Sequence, residues 1–315
     1  MKKNAIILYG RGDWTREAPK QKEMYVSCYA FFYRLLNEAG FNVYRASFQW
    51  FDEKKNVFSN AWLWENNSWK RAYDIKPNVV YDKMQQRMEA HYFKEKLARV
   101  YPLLNDPEFT VIANNKLYVS MLFPEFFKPY LRVTSEDELK KVAGKMKSKL
   151  VVMKEAVGSG GEQVSILLKA KAAKMKISGP ILAQEFIDSS KGIKGVAEGV
   201  HDLRMVFVGD ELIYSYVRQP KKGSLLANLA QGGSMFIVEK KDLPKSLNPI
   251  IKRVQKTFAS YPVKIYTIDV MFDEKQKPWI IELNTMPGMY FSPDQEKWMK
   301  KMYSALVKVF EKASI

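Results

Sequence analysis

One hairpin near the C-terminus constrains the fold of this chain more than any other segment. Residues 265–272 (IYTIDVMF) and 278–284 (PWIIELN) have the pattern of two β-strands joined by a short polar turn. Strand side chains alternate between two faces with a period of two, so the pattern predicts one buried apolar face. We expect that face to comprise Ile268, Val270 and Phe272 on the first strand and Trp279, Ile281 and Leu283 on the second.

The opposite face of the same hairpin is predicted to be polar. It carries Thr267 and Asp269 on the first strand, and Glu282 and Asn284 on the second. Two carboxylates and an amide oxygen suit Mg²⁺, a hard cation that prefers oxygen ligands and often shares its coordination sphere with substrate phosphates. The less favoured alternative is that these polar side chains are solvent-exposed and bind nothing.

Length and cysteine content exclude several classes of protein. A chain of 315 residues can bury a large core in about two domains. No stretch approaches the ~18–20 apolar residues of a membrane span, so we expect no membrane partner. The single cysteine, Cys28, permits no intrachain disulfide, and we expect a cytoplasmic protein. Because there are only two histidines, His91 and His201, a structural zinc site and a Ser/His/Asp triad are both disfavoured.

The net charge of +17, from 51 basic and 34 acidic residues, favours an anionic partner such as a nucleotide, an acidic peptide or a nucleic acid. The lysine-rich stretches at 140–149 and 169–176 are predicted to be solvated helix faces rather than a nucleic-acid footprint. No segment matches a helix-turn-helix, a zinc finger or an RNA-recognition motif, so nucleic acid is not predicted as a partner.

Residues 1–110 alternate between strand and helix signals. Strands are predicted at 5–9, 41–45 and 79–81, a long amphipathic helix at 21–39, and hairpins within 44–73. This alternation predicts an open α/β domain with a parallel sheet. The turn sequence Asn105-Asp106-Pro107 is predicted to mark its end.

A lysine and a glycine-rich loop stand close together in the middle of the chain. A predicted strand over 150–157 presents Lys154, and Gly158-Ser159-Gly160-Gly161 follows it before a second strand at 163–168. Glycines let backbone N–H groups approach phosphates closely, and a lysine supplies a mobile positive charge. The spacing is neither that of a Walker A loop nor that of a dinucleotide fingerprint, and alone it equally fits a flexible turn.

Three further segments carry polar groups suited to ligands. Gln184-Glu185-Phe186-Ile187 lies in a predicted strand, and Asp202 and Arg204 open a predicted hairpin that turns at Gly209-Asp210. Arg218 lies on the second strand of that hairpin, and Asn228 follows in a loop. Guanidinium groups suit phosphate and carboxylate recognition, although arginines at these positions could also be ordinary surface residues.

Taken in order, these segments resemble the ATP-grasp superfamily, and most closely its RimK-like and glutathione-synthetase-like members. The matching motifs are Val152-Met153-Lys154 with Gly158 and Gly161, Gln184-Glu185-Phe186-Ile187, Asp202-Leu203-Arg204, Arg218-Gln219 with Asn228-Leu229 and Gly232-Gly233, and Asp269…Glu282-Leu283-Asn284 with Pro287-Gly288. The resemblance covers residues 111–300, approximately. It implies an α/β (α+β) ATP-grasp fold with an N-terminal open α/β pre-ATP-grasp domain. The resemblance implies that the chain divides into the N-terminal domain at residues 1–110, a small ATP-grasp subdomain at 111–187 and a C-terminal ATP-grasp subdomain at 188–315.

The resemblance also implies roles for individual residues and two cofactors, ATP and Mg²⁺, with two ions expected and Mn²⁺ as a substitute. Arg204 and Arg218 would be catalytic and would face the transferred phosphoryl group or the substrate carboxylate. The implied metal ligands are Asp269, Glu282 and Asn284. The implied nucleotide contacts are Lys116, Lys154, Gly158, Ser159, Gly160, Gly161, Gln184, Glu185, Phe186, Ile187, Asp202 and Asn228.

The implied reaction is the ATP-dependent ligation of a carboxylate to an amine through an acyl phosphate. The substrates would be small molecules or peptides, acidic ones among them; the oligomeric state stays open. Phosphoryl transfer depends mainly on positioning and charge neutralisation, which a chain poor in His and Cys can supply. The alternatives are an ATP-grasp kinase of a polyanionic small molecule and a non-catalytic nucleotide-binding module. The Asp, Glu and Asn set counts against the module, since a pure binder has little use for all three.

Three positions depart from the RimK-like pattern. Leu226 stands where those enzymes have an arginine two residues before the loop asparagine. Glu162-Gln163 stands where a second glycine is common in the phosphate loop. Residues 191–200, rich in Gly and Lys, look inserted and are predicted to form a lid or a substrate loop.

Overall fold

The computed structural model describes residues 2–10, 23–84, 88–158, 164–227 and 232–314. Their strands form three main sheets, which lie in turn within residues 1–110, 111–187 and 188–315, although that division into domains stays a prediction. No helix in these ranges combines the length and the apolar character needed to cross a bilayer.

The N-terminal sheet has the order β6-β5-β2-β1-β7-β8. The last four strands in this order run parallel to one another, as the alternating strand and helix signals predicted. They are β1 (Lys3–Tyr9), β2 (Phe41–Ser47), β7 (Val79–Asp82) and β8 (Leu103–Leu104). An antiparallel hairpin, β5 (Ala61–Glu65) and β6 (Ser68–Ala72), extends one edge, and β3 (Phe51–Asp52) pairs with β4 (Val57–Phe58) separately. The helices of this region are α1 (Glu23–Glu38) and α2 (Met88–Ala98).

Two capped helices connect this sheet to the rest of the chain. The Asp106 side chain caps α3 (Pro107–Asn114), and the Asn115 side chain caps α4 (Lys116–Leu122). The amide of Asn105 ties this connection to the C-terminal hairpin, because it donates to the carbonyls of Ile265 and Thr285 and accepts from the Ile265 N–H.

The second sheet is small and antiparallel, with the order β11-β10-β12-β9. Its strands are β9 (Tyr130–Val133), β10 (Leu150–Lys154), β11 (Val164–Leu168) and β12 (Ile181–Glu185). One face packs against α5 (Glu136–Lys145) and α6 (Lys169–Ala172) through a cluster that includes Leu139, Ala143, Val151, Met153 and Ala183. Strand alternation therefore directs Val152, Lys154 and Gln184 to the opposite face.

The third sheet is antiparallel, with the order β15-β14-β13-β16-β17. Its strands are β13 (Asp202–Val208), β14 (Glu211–Gln219), β15 (Ser234–Val238), β16 (Ile265–Phe272) and β17 (Pro278–Asn284). One face buries Leu203, Met205 and Phe207 against α3, α4 and α7 (Asn248–Thr257). The other face packs Val206 and Val208 against α1 and α8 (Glu296–Ala313). Arg204 shares this second face by alternation, beyond the part that α8 covers.

The C-terminal hairpin contains a β-bulge that the strand pattern does not predict. Asp269 pairs with Glu282, but the next residue, Val270, pairs with Ile280, so Ile281 is an extra residue in β17. The expectation that Trp279 and Ile281 share the buried face with Leu283 is therefore wrong. Ile280 is buried with Leu283, whereas Ile281 is only partly buried and the indole N–H of Trp279 donates to Asp273 Oδ2 at 2.8 Å.

The inserted segment at 191–200, predicted to be a lid or a substrate loop, is an anchored loop in the structure; its contacts count against the lid, and the substrate loop stays a prediction. Ile193 is buried in the core of the third sheet and bridges to Ala197. The Gln276 side chain accepts from the Lys194 N–H and donates to the Gly192 carbonyl, which ties the loop to the turn of the C-terminal hairpin.

Candidate active site

A cavity of about 670 Å³ lies where the second and third sheets face each other. Lys154 and Gln184 enter it from the small sheet, and Arg204, Arg218 and Glu282 enter from the large one. It is also lined by Tyr25, Lys116, Val152, Glu155, Gly158, Val164, Ile166, Glu185, Phe186, Ile187, Ser189, Val200, Asp202, Tyr216, Leu225, Leu226, Ala227, Met271, Ile281, Asn284 and Gly288.

Two lysines reach the cavity from different elements. Lys116 begins α4, and its Nζ donates to the Gly158 carbonyl at 2.7 Å and lies 3.2 Å from Glu282 Oε2. Lys154 ends β10, and its Nζ lies 4.8 Å from the centre of the Tyr130 ring. Burial and, to a smaller extent, the nearby charge of Lys116 together lower the pKa of Lys154 to about 7, although Glu282 opposes the shift. A lysine in this setting gains its proton most readily when an anion such as phosphate enters beside it.

The floor of the cavity is a network of arginines and carboxylates from three adjacent strands. Arg204 holds Asp269 through two hydrogen bonds of 2.7 and 2.5 Å, and Arg218 holds Asp202 through bonds of 3.1 and 2.5 Å. Arg218 also donates to Asp269 Oδ2 at 2.7 Å. Burial opposes the ionisation of Asp269, but the two guanidinium groups outweigh it and hold the pKa of Asp269 below its usual range.

Asp202 differs from Asp269 although both contact Arg218. Burial raises the pKa of Asp202 to about 6; Arg218 opposes the rise, and the negative charge of Asp269 adds to it. Asp202 therefore lines the cavity as a carboxyl group that is less acidic than a solvated one.

The three residues predicted as metal ligands lie on adjacent strands, with Asp269 directly opposite Glu282. Glu282 and Asn284 line the cavity. Asn284 Oδ1 accepts from the Met286 N–H at 2.8 Å, and the oxygens of Asp269 are already bonded to guanidinium groups. This oxygen-rich set fits Mg²⁺ in kind. Within the described ranges no group of at least three His, Cys, Asp or Glu side chains is arranged to hold a metal, so phosphate oxygens would have to complete the coordination.

The predicted nucleotide strand is β12 and its continuation. Gln184, Glu185, Phe186 and Ile187 all line the cavity. The Gln184 side chain is buried, and its Nε2 has no hydrogen-bond partner among the described residues. Buried amide donors are rarely left unpaired, so this atom points to a ligand that carries an acceptor. Glu185 is held by the Lys147 N–H at 3.2 Å.

Four predicted site residues, Ser159, Gly160, Gly161 and Asn228, lie outside the described residues, as does the Glu162-Gln163 departure. The structure brings the other thirteen to the region of the cavity: twelve of them line it, and Asp269 lies just beneath it. Three tyrosines that the sequence did not single out also belong there. Tyr216 and Tyr25 line the cavity, and the buried Tyr130 hydroxyl lies near Lys154 without a hydrogen-bond partner in the described part of the chain.

Only one of the three tyrosines had a signal in the sequence. Tyr216 stands two residues before Arg218 on the same strand, so alternation places both on one face. Tyr25 and Tyr130 come from α1 and β9, which reach the cavity only through the tertiary fold.

The model of the RimK-like ATP-grasp domain family matches residues 128–299. A probable alpha-L-glutamate ligase of Vibrio parahaemolyticus is 28% identical over 160 residues, which cover 49% of this chain and 47% of that protein. A ribosomal protein bS6–L-glutamate ligase of Escherichia fergusonii is 28% identical over 109 residues, 35% of this chain and 31% of that one. The chain thus matches less than half the length of these curated relatives.

Solved structures match over nearly the whole chain at low sequence identity. D-alanyl-alanine synthetase A from Vibrio cholerae has a TM-score of 0.66 and 14% identity, with 99% of this chain and 98% of that one covered. A RimK domain ATP-grasp protein from Sphaerobacter thermophilus has a TM-score of 0.62 and 10% identity, with 98% of each chain covered. At such identities the likeness concerns the fold, and it includes the N-terminal α/β region.

Proposed function

The chain belongs to the RimK-like ATP-grasp domain family, as its motifs indicated, and from this we propose that it is an ATP-dependent carboxylate–amine ligase. The observation that carries the proposal is the convergence of Lys116, Lys154, Arg204 and Arg218 with Glu282 on a single cavity. Four cationic side chains beside an oxygen-rich wall are what a triphosphate and a carboxylate need when they are brought together.

In the proposed reaction an oxygen of the substrate carboxylate attacks the γ-phosphorus of ATP. The bond from that phosphorus to the β,γ-bridging oxygen breaks and ADP leaves, so the carboxylate becomes an acyl phosphate. The nitrogen of an amine then attacks the acyl carbon, inorganic phosphate leaves, and the amine loses a proton. Lys116 and Lys154 would hold the phosphates, and Arg204 and Arg218 would offset the charge that gathers on the transferred group.

Enzymes of this fold use ATP and divalent metal ions generally. We propose Asp269, Glu282 and Asn284 as the ligands and Mg²⁺ as the ion, with the number of ions left to measurement. A bound cation would neutralise phosphate charge and orient the γ-phosphate. Because guanidinium groups occupy the oxygens of Asp269, the metal would have to displace one of those contacts or rely more heavily on Glu282.

The nucleotide base is proposed to lie against β12. The unpaired Nε2 of Gln184 supports this placement, as does the apolar lining from Val152, Ile166 and Ile187. Adenine combines an apolar face with ring acceptors, so it suits such a surface. The substrates are proposed to be an amino acid or a peptide and an amine, and the cytoplasm remains the expected compartment because of the single cysteine.

Hydroxylamine provides a direct test. The protein is incubated with Mg·ATP, hydroxylamine and a panel of amino acids, and both ADP release and hydroxamate formation are measured. A ligase that makes an acyl phosphate gives hydroxamate in step with ADP and inorganic phosphate, because hydroxylamine replaces the natural amine. ADP release with transfer of the γ-phosphate to a stable product would instead identify a kinase. Binding of ATP without turnover under all conditions would leave the non-catalytic nucleotide-binding module.

A further inference from the structure

Part of the cavity wall is apolar or aromatic, and it adjoins Arg218 because Tyr216 lies two residues before Arg218 on the same face of β14. Tyr25, Tyr216, Leu225 and Leu226 line it, and we refer to these four residues as the apolar end. Leu226 stands where RimK-like sequences have an arginine, so this wall lacks a charge where related enzymes are expected to have one. Neither ATP nor the metal requires such a surface in the proposed ligase.

The large sheet shows how the apolar end is placed relative to the reacting groups. Asp269 pairs with Arg204, Arg204 with Tyr216, and Tyr216 with Ile237, so these side chains form one row across β16, β13, β14 and β15. Directly paired residues of an antiparallel sheet project from the same face. The row therefore passes from a carboxylate and a guanidinium to an aromatic ring and then to an aliphatic side chain at the edge.

Tyr25 forms a fixed part of this wall. It belongs to an aromatic ladder on α1 in which its ring lies 6.3 Å from that of Tyr29, which in turn lies 5.7 Å from Tyr33. The Tyr33 hydroxyl accepts hydrogen bonds of 2.8 and 2.5 Å from the buried guanidinium of Arg45. Tyr290 packs edge-on against Tyr25 at 5.5 Å. Support from both sides holds the ring at the cavity.

An acidic side chain would find little to pair with at this end. In the proposed ligase Arg204 and Arg218 serve the reacting carboxylate and the transferred phosphoryl group, and Lys116 is paired with Glu282. Among the described lining residues, none at the apolar end supplies an unengaged positive charge. A carboxylate moved from water to such a surface pays for its lost hydration, whereas an apolar side chain gains from burial.

We propose that the carboxylate substrate has an apolar or aromatic side chain, which packs against Tyr25, Tyr216, Leu225 and Leu226 while its carboxylate lies at Arg204 and Arg218. This proposal rests on the proposed ligase function and names the class of its substrate.

The test compares matched carboxylates with hydroxylamine as the common amine. L-leucine, L-phenylalanine, L-glutamate and L-aspartate are supplied as free amino acids and as the C-terminal residues of Gly-X dipeptides. Hydroxamate formation is measured for each. We expect kcat/KM for the leucine and phenylalanine forms to exceed that for the acidic forms at least about tenfold, since a pocket built for one polarity rejects the other.

Leu226→Arg introduces a charge at the apolar end. We expect it to lower kcat/KM for the phenylalanine form about tenfold and to raise the ratio of the glutamate form to the phenylalanine form, while the Kd for ATP stays unchanged. The matched control is Leu168→Arg, because Leu168 is exposed at the end of β11 and does not line the cavity. This control should leave both the ratio and the ATP affinity as in the wild type.

A wild type that prefers glutamate or aspartate overturns the inference but leaves the ligase proposal intact. The same holds if the ratio of kcat/KM for the glutamate form to that for the phenylalanine form is equal in Leu226→Arg and in the control. If no carboxylate yields hydroxamate, the ligase proposal fails. Calorimetric titration of L-phenylalanine and L-glutamate, with Mg²⁺ and a non-hydrolysable ATP analogue present, then decides the inference on its own. Preferential binding of phenylalanine supports it, and equal binding, preference for glutamate or binding of neither refutes it.

Discussion

Asp269 and Glu282 face each other across β16 and β17, yet their surroundings are different. Asp269 is fully buried, and both of its oxygens accept hydrogen bonds from guanidinium groups. Glu282 remains partly exposed to the cavity and lies 3.2 Å from Lys116 and 3.7 Å from Arg204. We therefore expect the same conservative change to have different effects at the two positions.

Asp269→Asn should lower the free energy of unfolding by about 3–5 kcal/mol, because it removes the charge that compensates two buried guanidinium groups. Glu282→Gln should change stability by less than about 1 kcal/mol and mainly weaken the Mg²⁺ dependence of ATP binding. Chemical denaturation and calorimetric titration of ATP with and without Mg²⁺ measure the two effects. Equal stability losses in both variants would contradict this distinction, and unchanged Mg²⁺ dependence in both would contradict the metal assignment.

His201 is a buried histidine with a structural role. Its Nδ1 lies 3.0 Å from the Gly199 carbonyl, and its Nε2 accepts from the Phe272 N–H at 3.2 Å, which together require a neutral ring. Burial lowers the pKa of His201 below its ordinary value of 6.5. Below that pH only the unfolded chain takes up the proton, so the stability from this residue is present above pH 6.5 and is lost as the pH falls.

His201→Gln should reduce this acid sensitivity, because a glutamine can both donate to the carbonyl and accept from the N–H without titrating. Between pH 7 and 5 we expect the wild type to lose stability relative to the variant by up to about 1.4 kcal/mol per pH unit. Denaturation curves across that pH range measure the difference. Parallel pH profiles for the two proteins would show that His201 does not titrate on unfolding.

At the level of elements, the anchored loop at 191–200 depends on one close approach of the backbone. Gly192 has φ +72°, and a Cβ built on it would lie 2.0 Å from the Ala197 carbonyl oxygen. Gly195, in the same loop, has φ +75° but no atom within 4 Å of such a Cβ. The two glycines therefore separate a steric requirement from a purely conformational one.

Gly195→Ala should cost about 1 kcal/mol of stability through its left-handed backbone alone. Gly192→Ala should cost clearly more than the Gly195 variant, about 2–4 kcal/mol, because the backbone contact has to open as well. Thermal and chemical unfolding of the two variants provide the comparison. If both lose the same stability, the loop rearranges readily and the described packing is not essential to it.

For the molecule as a whole, the C-terminal helix completes the core beside the N-terminal sheet. Phe310 of α8 is fully buried, and its ring contacts those of Phe32, Phe41 and Tyr81 at 5.9–6.2 Å. The same cluster includes Val206 and Val208 of the large sheet. One core therefore joins the first sheet to the third, and we expect the two regions to unfold together.

Phe310→Ala should lower the free energy of unfolding by about 3–5 kcal/mol and destabilise both regions at once. Tyr92→Ala is the control, because Tyr92 is 65% exposed and its removal should change stability by less than about 0.5 kcal/mol. Hydrogen exchange of the N-terminal strands and of the large sheet, followed with denaturation, measures the coupling. Loss of protection restricted to α8 would show that the shared core does not couple the two sheets.

The order of the motifs, the parallel N-terminal sheet and the oxygen-rich hairpin could all be inferred from the chain alone. These features are local, since alternation, glycine spacing and neighbouring polar groups are written within short segments. The placement of Ile281 could not be inferred, because an extra residue in β17 is defined only by the register of its partner strand. The same holds for Asp269, which the motif indicates as a metal ligand without revealing the arginines on its oxygens.

Local patterns thus specify which side chains an element presents, while the assembled sheets specify which of them meet. Tyr25 and Tyr130 reach the cavity from α1 and β9, far from its motifs in the chain. The pairing of Arg204 and Arg218 with Asp269 requires β13, β14 and β16 to be aligned in one register. Contacts between distant segments depend on packing that no short window of sequence contains. For this reason the motifs indicate a nucleotide site, whereas only the folded chain reveals that the residues of the apolar end line the same cavity.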